Sequence, residues 1–597
     1  MTSPPRLPFV LTVGVTGHRS DALAGDGVGE LRERLMAALK LITDAALKTH
    51  AEDGQWFASD PPRLQFITPL ADGADQIAAE CAIELGYQLN AVLPFDRDHY
   101  RRELAGNGAL ERFDSLLDHC SSVLELPGDR ASSFDAYVIT GRATVAHCDL
   151  LIAVWDGLKP RGRGGTGDVV ELAIARGTPV VHVPIDGTRA SRLLWAAFDP
   201  VVDTLGDDPM AERPLDREHV GQVVKALLLP PPDAEERRSL ATFENERIGR
   251  LRGRIEYPLL LAAAGVSRFE PRKFRGSAAA AAIEAEWRRF RDACLSDQPV
   301  FAPLGMLEGA YSWADQLASH FAQTYRSGHI FNFVLGGVAV CLGLSAFMAP
   351  HAKFEFAAAE FLIALAIIIN TAIGKRHEWH RRWLDYRQLA ERLRPMRSLK
   401  LLALAAPDPP GTSTNPIPRR WIDWYASGVW RALGCPSGAM NAERAAALAT
   451  AVAEYEIAPQ VDYHERHARE IETLDHRLEF VGSLLFVATL LVSVAIVVGL
   501  AFAPSLADRY SNWATLVSAG FPALGTAVFG IRFQADFGGS AQRSHGTARA
   551  LRQIEEELKK GVSLGRACDL AEQGARRMLA DLDEWRLVNQ QRDLEVG

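Results

Sequence analysis

The chain has 597 residues, too many for one hydrophobic core, so two or three domains are expected. Its formal net charge of −9 argues against nucleic acid as the main partner, which would call for a basic surface. The hydrophobic content of 48% is that of an ordinary globular protein and hides apolar segments that only a window scan reveals.

Seven cysteines, at 81, 120, 148, 294, 341, 435 and 568, are scattered with no CxxC pair. This reads as reduced thiols in a cytosol-facing chain, and as neither a disulfide framework nor a zinc site. The opening MTSPPRLPFVLTVGV has no charged start, and its short apolar run passes straight into a strand-and-glycine motif. No signal peptide is expected there.

From 9 to 185, short apolar strands alternate with helical stretches. Strands are predicted at 9–14, 64–67, 88–93, 123–126, 150–155 and 179–183, with helices between them, such as 29–49 and 74–85. The alternation predicts an α/β, doubly wound parallel sheet. In such sheets ligands bind beyond the carboxyl ends of the strands.

Three loops at those ends carry the candidate site. The first is Gly14-Val-Thr-Gly-His-Arg19, directly after the first strand. Gly14 and Gly17 let the backbone approach a ligand, Thr16 offers a hydroxyl, and Arg19 offers a fork for phosphate or carboxylate. It is neither a dinucleotide GxGxxG nor a P-loop, and a plain tight turn is the alternative. The second, Pro69-Leu-Ala-Asp-Gly-Ala-Asp75, opens a helix whose first N–H groups suit an anion. Capping of that helix by Asp72 or Asp75 is an equal and compatible reading. The third runs from Trp155 to Glu171 and sets five glycines in a basic loop before a helix. That composition cradles phosphate; a merely flexible surface loop is the alternative.

GVTGHR, then LADGADQIAAE, then GRGGTGDVVELA after a DLLIAVWDG strand, over roughly residues 8–190, resemble the SLOG superfamily. That superfamily includes the lonely-guy phosphoribohydrolases and the DNA-processing Smf proteins. The resemblance implies a Rossmann-like fold that binds a nucleotide or nucleotide derivative. It implies ligand contacts from Gly14, Thr16, Gly17, His18, Arg19, Asp72, Gly73, Ala74, Asp75, Asp156, Gly164, Gly165, Thr166, Gly167 and Glu171. Lonely-guy enzymes carry a PGGxGTxxE-type loop whose glutamate acts in cleaving a nucleoside monophosphate. Gly164, Gly165, Thr166, Gly167 and Glu171 are similar to it, but the leading proline is missing and the threonine spacing differs. This favours binding over hydrolysis and makes Glu171 catalytic only if the chain is an enzyme. No cofactor or metal is expected.

Beyond residue 325 the character changes. The stretches 330–348, 356–373, 480–503 and 513–531 are almost wholly apolar. Each is about long enough to cross a hydrocarbon core of roughly 30 Å as a helix. The links at 349–355 and 504–512 are short, so each pair is a tight hairpin. Lys375, Arg376, Arg381, Arg382, Arg387, Arg392, Arg394 and Arg397 crowd the segment after the second span, whereas the hairpin tips hold only Lys353 and Arg509. The positive-inside rule then places the N-terminal domain, the centre and the C-terminal tail in the cytoplasm of a multi-pass inner-membrane protein. Gly336, Gly337 and Gly343 suit close helix packing, and Pro522 and Gly525 suit a kink in the fourth span. Glu360 and Asn370 are the costly polar residues. Pore lining is one reading for them; positions at the two headgroup levels are the stronger one.

Trp383-Leu-Asp-Tyr-Arg-Gln-Leu-Ala-Glu-Arg-Leu-Arg394, after a two-span hairpin, resembles the SLATT modules. These are two-span effectors found with SLOG sensors in bacterial defence systems, and they are proposed to form membrane pores. The arginine face of this helix is expected to meet anionic headgroups or to pack as a stalk. The second hairpin, flanked by helical segments, has the layout of a diverged copy.

The division expected is a SLOG-like domain at 1–225, a mostly helical connector at 226–325, and a first hairpin with its amphipathic helix at 326–404. A proline-rich loop and helical linker at 405–475 and a second hairpin with a helical tail at 476–597 complete it. The leading expectation is an all-α membrane module of four transmembrane helices, opened as a pore by a nucleotide-derived signal in anti-phage defence. Membrane lipid and further copies of the chain are its expected partners. The alternative is a membrane-tethered phosphoribohydrolase-like enzyme.

Overall fold

The computed structural model of the chain describes all residues except 1–2, 24–26, 105–107, 129–132, 161, 188, 196–211, 248–253, 271–275, 296–303, 408–418 and 590–597. The proline-rich loop expected at 405–420 lies mostly outside the described residues, as does the end of the C-terminal tail.

The N-terminal part builds strands β1 (Val10–Gly17), β2 (Arg63–Thr68), β3 (Gln88–Leu93), β4 (Cys120–Glu125), β5 (Leu150–Trp155) and β6 (Val180–Pro184). Two short strands, β7 (Arg192–Leu194) and β8 (Glu212–Pro214), follow. The last strand, β9 (Gly438–Ala439), comes from far along the chain. The order across the sheet is β8-β7-β6-β5-β1-β2-β3-β4-β9. Among the described residues, only the β6–β7 and β7–β8 pairs are antiparallel. The first seven residues of β1 are buried, as expected of a strand covered on both faces. The order reverses between neighbours β1 and β5. The fold is therefore the doubly wound α/β sheet the alternation predicts. Beyond residue 190, β7 and β8 extend the sheet before the helical connector begins.

One hydrophobic core runs from this sheet into the later part of the chain. It joins Phe9, Phe66 and Leu93 to Phe243, Trp287, Trp313, Tyr386, Trp421 and Trp424. A second cluster packs Ile67, Val92 and Leu124 against Leu399, Leu404, Met440, Leu551 and Cys568. Tyr425 donates its hydroxyl to Pro5 O at 2.7 Å, and Trp424 donates its indole N–H to Leu228 O at 2.6 Å. All seven cysteines are free.

Among the described residues, four helical segments are long and apolar enough to cross a membrane. The apolar spans lie in helices Gly305–Ser345, Lys353–Arg376, Ala458–Phe502 and Pro504–Ala535. The first packs on the second and the fourth, and the fourth packs on the third. Exposed Phe354, Phe361, Leu362, Phe480, Leu490 and Leu491 give the outer helices the apolar surface that lipid would cover. Small residues set the inner contacts. A Cβ added at Gly530 would collide with the Phe333 ring, and one at Gly337 would lie 3.0 Å from Leu524. Gly525 lies against Phe486 and Gly482 against Phe529, whereas Gly336 faces open space. The link expected at 504–512 is helical instead. Ala503 makes the turn, and Pro504 starts the fourth helix at a position that needs no N–H.

The two hairpins share a layout. Each ends in a non-glycine residue of positive φ, Glu378 at 47° and Asp536 at 45°. Each such residue begins a further helix, Trp379–Leu393 or Phe537–Leu558. The first of these does not lie with its arginines toward headgroups. Its Arg382, Arg387 and Arg392 pair with Glu246 (3.0 Å), Glu391 (2.7 Å) and Asp423 (3.1 Å), its Asp385 pairs with Arg420 (2.5 Å), and just beyond it Arg397 pairs with Glu456 (2.6 Å). Arg394 donates to Gln460 at 2.5 Å and to the Tyr311 hydroxyl at 2.9 Å. Helix Trp379–Leu393 packs on the first span's helix and on helix Trp421–Ala432. Buried charge needs a partner, and protein carboxylates supply it here in place of lipid or water.

Asn370 is 8% exposed, and its polar atoms are spent within the protein. Its amide donates to Gly328 O at 3.1 Å and to Asn332 Oδ1 at 2.8 Å, and its oxygen accepts from Arg254 Nη1 at 2.6 Å. It pins the second span to the first and both to the connector. Glu360 lies against Gly343 of the first span, its carboxylate 3.3 Å from where a Cβ would stand.

Candidate functional site

The carboxyl ends of β1 and β5 border the crevice at which the strand order reverses, the place where such sheets bind ligands. The turn after β1 is fixed by its neighbours. His18 N–H donates to Val154 O at 3.2 Å, and the imidazole Nδ1 lies 3.2 Å from the same oxygen. Its Nε2 stands 3.7 Å from Asp156 Oδ2. The His18 carbonyl accepts from Ala74 N–H at 3.2 Å, and Ser20 Oγ donates to Asp72.

Two glycines permit this approach. A Cβ on Gly17 would collide with that of Ala74. Gly73 has φ +103°, and a Cβ there would lie 2.6 Å from Ser20 N. Helix Ala74–Glu84 therefore begins against the β1 turn. Helix Thr166–Ala175 begins after β5, with Gly165 as its N-cap. Both helices pack on β1, and helix N-termini suit an anion.

Charge at the crevice is set by burial. Asp75, in the first turn of its helix, is 4% exposed, and its Oδ1 has no hydrogen-bond partner. Burial pushes its pKa up to about 8, against the lowering pull of the Ala71 backbone and Arg19. It therefore carries a proton at neutral pH and does not cancel Arg19. The Arg19 guanidinium lies 4.9 Å from the centre of the Tyr137 ring. Burial pulls its pKa down, but Tyr137, Tyr100 and Glu103 outweigh that, and Arg19 stays a cation.

The structure brings together Gly17, His18, Arg19, Asp72, Gly73, Ala74, Asp75 and Asp156. Gly14 and Thr16 sit inside β1 instead; a Cβ on Gly14 would meet Cys148. Gly164 has φ +78° and donates its N–H to Asp168 Oδ2 at 2.8 Å. Gly167 is buried beneath Pro160, which folds the loop back over its helix. Thr166 is the first residue of that helix, and Glu171 is exposed further along it. Tyr100, Glu103 and Tyr137, which surround Arg19, carry no sequence motif; their only signal is aromatic and acidic residues in the helices after β3 and β4.

Residues 309–399 match the model of a family described as a protein of unknown function, DUF4231. The match covers most of the first span's helix, the second span and the arginine-rich helix. No curated protein matches the chain.

Proposed function

We propose that this chain is a membrane receptor whose N-terminal sheet binds a nucleotide-derived anion at the β1–β5 crevice and whose four spans respond by opening an ion path. The reading follows the SLOG and SLATT resemblances and places the sheet in the cytoplasm, as the arginine distribution implies. One observation carries it: the β1 turn bearing His18 and Arg19 packs against the start of helix Ala74–Glu84, with Asp156 beside His18, while Asp75 stays neutral. Coupling is supported by the core that runs unbroken from the sheet to the base of the first span. A ligand that favours the open arrangement by a few kcal/mol shifts its population usefully.

The test is ion flux from liposomes holding the full-length protein, with nucleoside mono- and diphosphates and cyclic dinucleotides added. Ligand-dependent flux that Arg19→Gln abolishes is the expected result. Binding without flux would leave a receptor that is no channel, and no binding would remove the reading altogether.

A further inference from the structure

A cavity of about 580 Å³ lies where the first, third and fourth spans leave their apolar stretches. Ile330 and Ile531 line it on the membrane side, and the connector, the helices Trp379–Leu393 and Phe537–Leu558 and the inner ends of helices Gly305–Ser345 and Ala458–Phe502 contribute most of the rest. This volume is within the range of small-molecule sites. None of its residues belongs to the β1–β5 crevice.

Its wall carries an unspent cation. The Arg326 guanidinium stands between two rings, 5.2 Å from the centre of Tyr257 and 5.1 Å from that of Trp383. Among the described residues no carboxylate is within ion-pair distance of it. Of the other arginines in the lining, Arg387 holds Glu391 at 2.7 Å and Arg543 holds Asp536 at 3.1 Å, while Arg268 is exposed. Glu270 and Glu470 are exposed at the rim.

Imidazoles complete the wall. His329 is 7% exposed, and its Nε2 lacks a hydrogen-bond partner; the buried Nδ1 of His464 lacks one as well. Tyr325 stacks on His380 at 4.5 Å, and Tyr463 stacks on His467. Buried polar atoms without partners are rare, so two such imidazole nitrogens beside a half-buried guanidinium without a carboxylate point to a ligand that uses them. A guanidinium fork and imidazole donors suit phosphate oxygens, and the flat rings suit the organic part of a phosphate ester.

We propose that this cavity is a second ligand site, taking an organic phosphate monoester or diester at the foot of the spans. Its phosphate meets Arg326, His329 and His464, and its apolar part lies against Trp383 and Tyr257. Two sources share that chemistry, a phospholipid headgroup and a free nucleotide. Because the walls come from three spans, occupancy fixes their spacing.

The experiment uses delipidated full-length protein in detergent, with phosphatidylglycerol in one arm and adenosine monophosphate in the other. Binding is read by native mass spectrometry and calorimetry. All proteins carry Arg19→Gln, so that the crevice contributes nothing and the outcome is independent of the reading above. The expected result is binding of one probe, weakened about tenfold or more by Arg326→Gln. Ser540→Trp, which fills the cavity without removing charge, weakens it likewise. Phosphatidylglycerol binding names a lipid site and nucleotide binding names a soluble ligand. Binding of neither probe, or binding that either variant leaves unchanged in a protein still eluting as folded, overturns the proposal.

Discussion

Replacing Asp75 by Asn tests the electrostatics of the crevice. The carboxyl titrates near 3.8 in an open chain and near 8 in the fold, because burial penalises its charged form. Below pH 3.8 both states hold the proton. Between 3.8 and 8 only the folded state does, so stability falls as pH rises and levels off above 8. At roughly 1.4 kcal/mol per unit, the three units from pH 5 to pH 8 cost the wild type about 4 kcal/mol. The amide of the Asp75→Asn variant has no proton to lose and escapes that slope.

The assay is thermal unfolding of the detergent-solubilised protein from about pH 5 to pH 9, followed by tryptophan fluorescence. The variant is expected to draw ahead of the wild type as pH rises, with the gap constant above pH 8. Anion affinity should follow the same course, since an ionised Asp75 competes with ligand for Arg19. Parallel pH profiles for the two proteins would refute the reasoning, as they would mean that Asp75 is ionised and solvated throughout.

Three further outcomes are expected. Asn370→Leu strips the Arg254 side chain and Asn332 of a partner each, costing about 2–4 kcal/mol of stability, measurable as a lowered Tm in detergent. Gly530→Val drives a methyl into the Phe333 ring and separates the first and fourth spans, whereas Gly336→Val meets open space. Cysteine cross-linking between those spans should be lost only in the Gly530 variant. The purified protein should release no free base from nucleoside monophosphates; release that Glu171→Gln abolishes would restore the hydrolase alternative.

The strands and spans were legible because their signals are local: apolar runs closed by glycine loops, and long charge-free stretches. The expected start of the first strand at Phe9 and its end at Gly14 differ from β1 by one and three residues, since GVTG still hydrogen-bonds along β5. The sequence placed the first two loops at the same end of the sheet, but its glycines read as making room for a ligand, whereas Gly17 and Gly73 make room for the other loop. What failed was whatever depends on distant chain. The arginines after the second span resemble a headgroup-binding face, and only the fold brings Asp423 and Glu456 to them. β9, two residues long, carries no pattern at all. The shared layout of the hairpins was visible as spacing, while the paired positive-φ turns at Glu378 and Asp536 were not, because neither is glycine.

β9 has a consequence for how the molecule is made. It pairs Gly438 and Ala439 with Leu124 and Glu125, and Met440 N–H donates to Glu125 O at 2.7 Å. During synthesis the first two spans emerge before these residues do. The β4 edge therefore stays open, a template for unwanted strand pairing, until the ribosome has passed the first hairpin. Completion of the nine-stranded sheet therefore waits until the first hairpin has been synthesised.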